Sequence, residues 1–395
     1  MGAFRLVWAV PAFRVVFAAD AVSTLGDQFA RVALALLVWG RTGSAWWTAA
    51  IYALTFLPDL VGSIGLAWLA DYYPRKSVLV TCTTVQAVAY ALMAIPDLPL
   101  WLIAVLLTAS ATVLAPAKAA QGALIPEVLP AERLPAGLGL MDQARTIAQL
   151  GGLGAGGALV AVVGPEVVLA TNAVTFAFGA AAVGWGVTAR PPAGGSRKPA
   201  TQWKDAISAL RRDREVLALV AIAWMATIVV VPDGVVAPLA SELAAGTWSV
   251  GVLLAVHPLA LLAGLNVVAH ASPRRKGVVL WSLAALSVVP LVGFAARPGL
   301  TGALVLLALS GVGTAYQTMM RAELTIRLPD RVRGSALGFA RSGVRVGQGI
   351  GVAAAGALVE LTRSPSVVIA VAGLVGACWV AAAGTGWRRA RMSAR

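Results

Sequence analysis

Long apolar runs, each bounded by proline, glycine or clustered charge, occupy most of the 395 residues. A bilayer crossing takes about 20 apolar residues. On that measure the runs predict spans over 15–39, 43–70, 77–95, 99–124, 136–163 and 166–188. After a polar stretch they predict six more, over 216–240, 248–269, 277–295, 300–325, 334–361 and 365–387. The stretch from Arg190 through Pro191, Pro192, Gly194, Gly195 and Ser196 to Pro199 breaks helices and has nothing apolar to bury, so it reads as a linker. Behind it Trp203, Ile207 and Leu210 share one helical face, the layout of a short helix on the membrane surface or of a soluble tether. The division is 1–188, a six-helix bundle; 189–215, a cytoplasmic linker; and 216–395, a second six-helix bundle.

Composition agrees with the pattern. Hydrophobic residues make up 59% of the chain and charged ones 12%, with a mean hydropathy of +0.83. An ordinary soluble domain carries about a quarter charged residues, so that class is excluded. The net charge of +14 would suggest a nucleic-acid partner in a soluble protein, but here the charges sort by side. With both termini on one face, 22 Lys and Arg fall in the segments of that face, and only Arg41, Arg297 and Arg363 in the opposite loops. Basic residues resist translocation, which predicts cytoplasmic termini and a multi-pass protein of the plasma (inner) membrane. The expected partners are the lipid bilayer and a small-molecule substrate, with no nucleic acid, and the chain is read as a monomer. The two cysteines, Cys82 and Cys378, lie inside apolar runs and imply no disulfide framework. The start at Met1 shows no cleavable-signal pattern, so the first span is expected to be retained.

The two sets of six also repeat. Gly65 to Lys76 aligns with Gly264 to Arg275 at an offset of 199 residues, and Leu129 to Val160 aligns with Leu328 to Val359 at the same offset. Six being even, both copies enter the membrane from the same side, which makes a parallel repeat of the two-bundle transporter kind.

An ionisable group in hydrocarbon costs roughly 2.5–3.5 kcal/mol on insertion scales, so it is expected to face a partner or a watery cavity. Span one carries Asp20, Asp27 and Arg31; span two Asp59; span four Lys118; span five Asp142 and Arg145. In the second half span seven carries Asp233, span eight His257, span ten Arg321 and Glu323, and span eleven Arg341 and Arg345. Spans three, six, nine and twelve carry none in their interiors and are expected to face lipid. Asp59 precedes Asp71 by twelve residues, about 18 Å along a helix, which puts it near mid-bilayer and makes it the first candidate for a proton-carrying carboxylate. The alternative is an acid locked to Arg145 or Lys118 that only holds helices together. Asp20 and Asp27 share a face, and Arg31 is placed for an i,i+4 pair with Asp27, either a static ion pair or part of the coupling. Asp233 follows Pro232, where a lost backbone hydrogen bond predicts a bend. His257 could titrate near physiological pH or serve as a hydrogen-bonded packing residue.

The segment Leu69-Ala70-Asp71-Tyr72-Tyr73-Pro74-Arg75-Lys76 resembles the loop signature between helices two and three of the major facilitator superfamily. Leu25-Gly26-Asp27, Pro116-Ala117-Lys118, Ile125 to Pro130 and Gly152 to Gly157 further resemble the branch of enterobactin-type siderophore exporters and drug:proton antiporters. The chain departs from the signatures at Ala67 and Pro74, where the family has Gly; at Leu153, where antiporters have Pro; and at His270, which replaces the acid in the second copy of the loop. The resemblance implies an all-α integral membrane protein of twelve transmembrane helices in two pseudo-symmetric bundles. It also implies a proton gradient as driving force with no other cofactor, and a cytoplasmic gate at Asp71, Arg75 and Lys76. The bland reading of that cluster is topological, a positive-inside signal without gating.

Gly152, Gly156 and Gly157 give span five the small-residue spacing for close helix packing. Trp46, Trp47, Trp101, Trp248 and Trp387 fall at span ends, as interface anchors do. Two isolated histidines and no acid, Cys or His cluster at ligand spacing predict neither a metal site nor an enzyme, and no Gly-x-x-x-x-Gly-Lys-Ser/Thr loop for ATP occurs. The expected function is proton-coupled efflux of an amphipathic drug-like or siderophore-like molecule. The alternative is uptake or facilitated diffusion of a metabolite.

Overall fold

The computed structural model describes residues 7–58, 62, 66, 69–188, 214–270, 272, 275–328 and 330–393. In the first half α1 runs Pro11–Thr42, α2 Ala45–Ala53, α3 Leu69–Tyr72, α4 Arg75–Met93, α5 Leu100–Val128, α6 Leu134–Val163 and α7 Pro165–Gly186. The seventh span follows in four pieces, α8 Arg214–Trp224, α9 Ala226–Val229, α10 Val231–Gly234 and α11 Val236–Glu242. The remaining helices are α12 Trp248–Ala269, α13 Lys276–Val292, α14 Leu300–Gly313, α15 Tyr316–Arg327, α16 Asp330–Thr362 and α17 Pro365–Ser393. Among the described residues eleven helices are long and apolar enough to cross a membrane. The second span is described only over α2, α3 and the residues near them. The linker and its short helix lie outside the described residues, as do Asp59 and the side chain of Asp71. The chain is all-helical with the twelve-helix architecture expected.

Local sequence sets the ends. Pro11, Pro165 and Pro365 open their helices, where the missing N–H is one that no helix could pair. The repeat is visible in the elements: the starts of α4, α5, α6 and α7 recur within three residues at those of α13, α14, α16 and α17 when 199 is added. The bend expected at Pro232 is a longer disruption, with non-helical steps at Met225, Val230 and Val235 around it. Pro258, by contrast, sits inside an unbroken α12.

Two compact units result, Met1–Thr42 with Leu54–Ser196, and Gly43–Ala53 with Arg197–Arg395. In this division α2 belongs to the second unit, apart from the rest of the first half of the chain. The cause is specific packing: a Cβ on Gly356 of α16 would meet the Ala49 Cβ at 2.3 Å, and Glu360 accepts from Ser44 Oγ (3.1 Å) and the Trp46 N–H (3.3 Å) at the start of α2. In the first unit α1 packs on α6 and α7, and α4 lies against α5 and α7. Gly152 and Gly156 lie where α6 crosses α1, with Gln28 Cβ and Val32 Cγ2 at 2.6 and 2.9 Å from an added Cβ; Gly157 is buried beside them. Arg41 joins Glu166 (3.1 Å) in the first unit, and Glu242 accepts from Ser364 Oγ and the Ser366 N–H, both at 3.0 Å, in the second.

Candidate functional site

The first unit contains a buried polar seam along one face of α1. Ser23, Thr24 and Asp27 follow Asp20 on that face, and Arg31 continues it one turn later. Asp20, with 3% of its side chain exposed, accepts from Lys118 Nζ of α5 at 3.0 Å and from Arg145 of α6 through Nε at 2.6 Å and Nη2 at 3.2 Å. Gln121 Oε1 receives both cations as well, at 3.4 and 3.3 Å. Three helices are thereby tied through one carboxylate.

This arrangement reassigns the cations of the sequence reading. Lys118 and Arg145 were candidate partners for Asp59, whereas Asp20, which has no local partner along its own helix, receives both. Asp27 and Arg31 stay beyond salt-bridge contact, and the Arg31 charge acts on Asp27 across a shared recess. Asp27 instead accepts from Asn172 Nδ2 of α7 at 3.4 Å, and Arg31 faces a recess lined by Thr55, Gln86, Tyr90 and Ser110. Spacing of i,i+4 brings two Cβ atoms near each other, but side chains of neighbouring helices decide which way each carboxylate turns.

The other candidates are dispersed. Asp142 is 77% exposed and lies 3.5 Å from Arg145. Asp233 sits in α10, within the broken seventh span. His257 of α12 meets Thr314 Oγ1 at 2.9 Å. That hydroxyl also lies within donating distance of the Ser310 carbonyl (3.1 Å), so it can accept from the His257 Nε2–H, and the contact lies within the second unit. At the start of the third span Arg75 is anchored by Glu127 Oε1 (2.5 Å) and the Ala123 carbonyl (2.9 Å), both on α5.

Sequence reasoning passed over three residues, Gln121, Asn172 and Glu127. Gln121 lies one turn after Lys118, a usable signal. Asn172 is fully buried in a span expected to face lipid. The third span, α4, likewise turns Thr83 and Gln86 inward while Val85, Val88 and Leu92 stay exposed. These spans are therefore two-faced, with neutral polar groups inward and apolar ones outward. Counting charges alone misses that.

Removing Arg145 tests the ion cluster. Arg145→Leu leaves a buried carboxylate with Lys118, itself 46% exposed, as its one cation. Breaking a buried pair costs about 3–5 kcal/mol, and the retained lysine puts the expectation at the low end, about 3 kcal/mol. Asp20→Asn is expected to cost less, because the two cations it releases are 35% and 46% exposed and can reach water. Heat-induced loss of the monodisperse peak in detergent measures both, and equal losses would contradict the assignment of Asp20 as the buried partner.

A family model described as the Major Facilitator Superfamily matches residues 15–272. Solved structures share the fold at low identity. A POT family transporter, in complex with a thioalcohol-conjugated peptide, has TM-score 0.75 and 10% identity over 93% of this chain and 94% of its own. A bacterial homologue of the human lysosomal transporter Spinster, inward-facing and occupied, has TM-score 0.73 and 13% identity over 96% of each chain. The nucleoside transporter NupG has TM-score 0.73 and 11% identity over 95% of this chain and 98% of its own. No curated protein matches the sequence at a significant level.

Proposed function

The chain belongs to the Major Facilitator Superfamily and is a membrane transporter, not an enzyme, and from that premise we propose that it exports an amphipathic drug-like or siderophore-like small molecule in exchange for protons. The observation that carries this reading is the contrast between two carboxylates on one face of α1. Asp20 is neutralised by two cations, whereas Asp27 lines the same seam with a neutral amide as its hydrogen-bond donor. A proton on Asp27 breaks no contact ion pair, and a proton on Asp20 breaks two. Asp27 is therefore the carboxylate at which a proton and a substrate can exchange.

The surrounding assignments belong to the same proposal. Both termini lie in the cytoplasm, an orientation that the bias of basic residues supports, and the protein is a monomer in the plasma membrane. Asp71, Arg75 and Lys76, at the junction of α3 and α4, form a cytoplasmic gate in which Arg75 is held by Glu127 and the Ala123 carbonyl. Relatedness to the siderophore-exporter and drug:proton antiporter branch rests on the motifs around Asp27, Lys118 and Gly152.

The test uses inverted membrane vesicles with a pH-sensitive dye, challenged with cationic drugs and with catecholate and hydroxamate chelators. Compound-dependent proton release is the expected result. Proton movement of the opposite sign would replace export with uptake, and silence toward every compound in folded protein would overturn proton exchange altogether.

A further inference from the structure

Two side chains of opposite charge stand one helical turn apart on α1 and line one recess without pairing. Asp27 and Arg31 share it with Thr55, Gln86, Tyr90 and Ser110, all within the first unit. Asp27 is turned to the Asn172 amide of α7. Among the described residues Arg31 has no carboxylate within contact distance, and it lines the recess beside Asp27. An acid and a base at this spacing readily join on a helix, more strongly where water is scarce. Held out of contact, the two opposite charges act on each other only across the recess, and both face the same space. Tyr90 forms a firm wall there, its ring stacked on Phe176 at 5.6 Å and 19°.

The recess has a volume of about 50 Å³, where one water takes about 10–15 Å³ on the same measure. It has room for the charged ends of a small molecule and not for a whole drug-like one. Asp27 and Arg31 are four positions apart on α1, an axial rise of about 6 Å between their backbone positions.

We infer that this recess recognises an amphoteric substrate, whose cationic group lies against Asp27 and whose anionic group, a carboxylate or similar oxyanion, lies against the Arg31 guanidinium. The inference rests on the exchange reading above, since a proton on Asp27 would displace the cationic end. It narrows the substrate from amphipathic in general to molecules bearing both signs of charge. Arg31 supplies the planar fork suited to a carboxylate, so Lys there should serve only in part.

Isothermal titration of the full-length protein in detergent near neutral pH tests this with three matched probes. These are para-(aminomethyl)benzoate, with both charges; para-(aminomethyl)benzamide, with the cation alone; and para-(acetamidomethyl)benzoate, with the anion alone. The doubly charged probe is expected to bind about tenfold more tightly than either of the others. Arg31→Gln should erase its advantage over the cation, Arg31→Lys should keep part of it, and Asp27→Asn should erase its advantage over the anion. A doubly charged probe that binds no better than the singly charged ones, or that fails to bind, overturns the inference, as does an advantage unchanged in Arg31→Gln. Failure of the exchange reading is seen separately, because binding in detergent needs no proton gradient: vesicles without proton release, beside an intact preference for the doubly charged probe, would sink export and leave amphoteric recognition standing.

Discussion

In inverted vesicles Asp27→Asn is expected to lose compound-driven proton release, falling at least about tenfold toward the background of empty membranes, while Asp20→Asn keeps it. The two residues lie on the same face of α1, and a reading by residue type alone would treat them alike. Their surroundings separate them. Asp20 receives Arg145 at 2.6 Å and Lys118 at 3.0 Å, so its negative charge is committed to two cations and a proton on it would break both pairs. Asp27 has the Asn172 amide at 3.4 Å, a partner that can serve a carboxylate or a carboxylic acid, donating through its amino group or accepting through its carbonyl. A transported proton needs a group that is stable enough in both states to cycle between them. Asparagine at position 27 mimics the protonated state permanently, which removes the cycle while keeping the shape. Asp59 is the competing carrier, chosen from its depth in the second span, and Asp59→Asn belongs in the same experiment. Retained release in Asp27→Asn with loss in Asp59→Asn would move the proton site to the second span.

The span pattern was readable because burying an unpaired backbone in lipid is prohibitive, which leaves few options for a chain of this hydropathy. The runs at 99–124, 166–188 and 248–269 anticipate α5, α7 and α12 to within four residues. Pairing between spans was not readable in the same way. Asp20 and its two cations are separated by 98 and 125 residues, and nothing in the one-dimensional pattern distinguishes Asp20 from Asp59 as their partner. The expected Asp27–Arg31 contact is the converse case: local spacing brings the two near each other, while Asp27 takes its hydrogen bond from Asn172, a residue on a span without charges. Charge was the signal used to find the polar pathway, and so the neutral polar residues lining it, Thr83, Gln86 and Asn172, escaped notice.

Glycine shows the same limit, with a larger expected consequence. Valine at Gly264 is expected to yield no folded protein, and alanine there to cost about 3 kcal/mol, the upper part of the range for overpacking. Sequence spacing singled out the glycine-rich stretch of α6, but at Gly151 an added methyl would meet nothing within 4 Å, and at Gly152 and Gly156 it would meet side-chain atoms of Gln28 and Val32 first. At Gly264 of α12 the nearest atom is the Val312 carbonyl oxygen of α14, 2.1 Å from the Cβ position, and at Gly311 of α14 it is the His257 carbonyl oxygen of α12, at 2.3 Å. The two helices therefore meet backbone to backbone at both places, and a carbonyl cannot swing aside as the end of a side chain can. Two isolated glycines on separate spans carry no periodic signature, so only the fold shows that they belong to one crossing. Gly184→Ala is the control, since nothing lies within 4 Å of its Cβ position. Fluorescence-detected size exclusion after expression should show an unchanged monodisperse peak for Gly184→Ala, a weakened one for Gly264→Ala and none for Gly264→Val; a normal peak for Gly264→Val would mean that α12 and α14 are free to separate. Because His257 and Thr314 bond across this same pair of helices, such freedom would also remove the reason for treating His257 as a fixed packing residue.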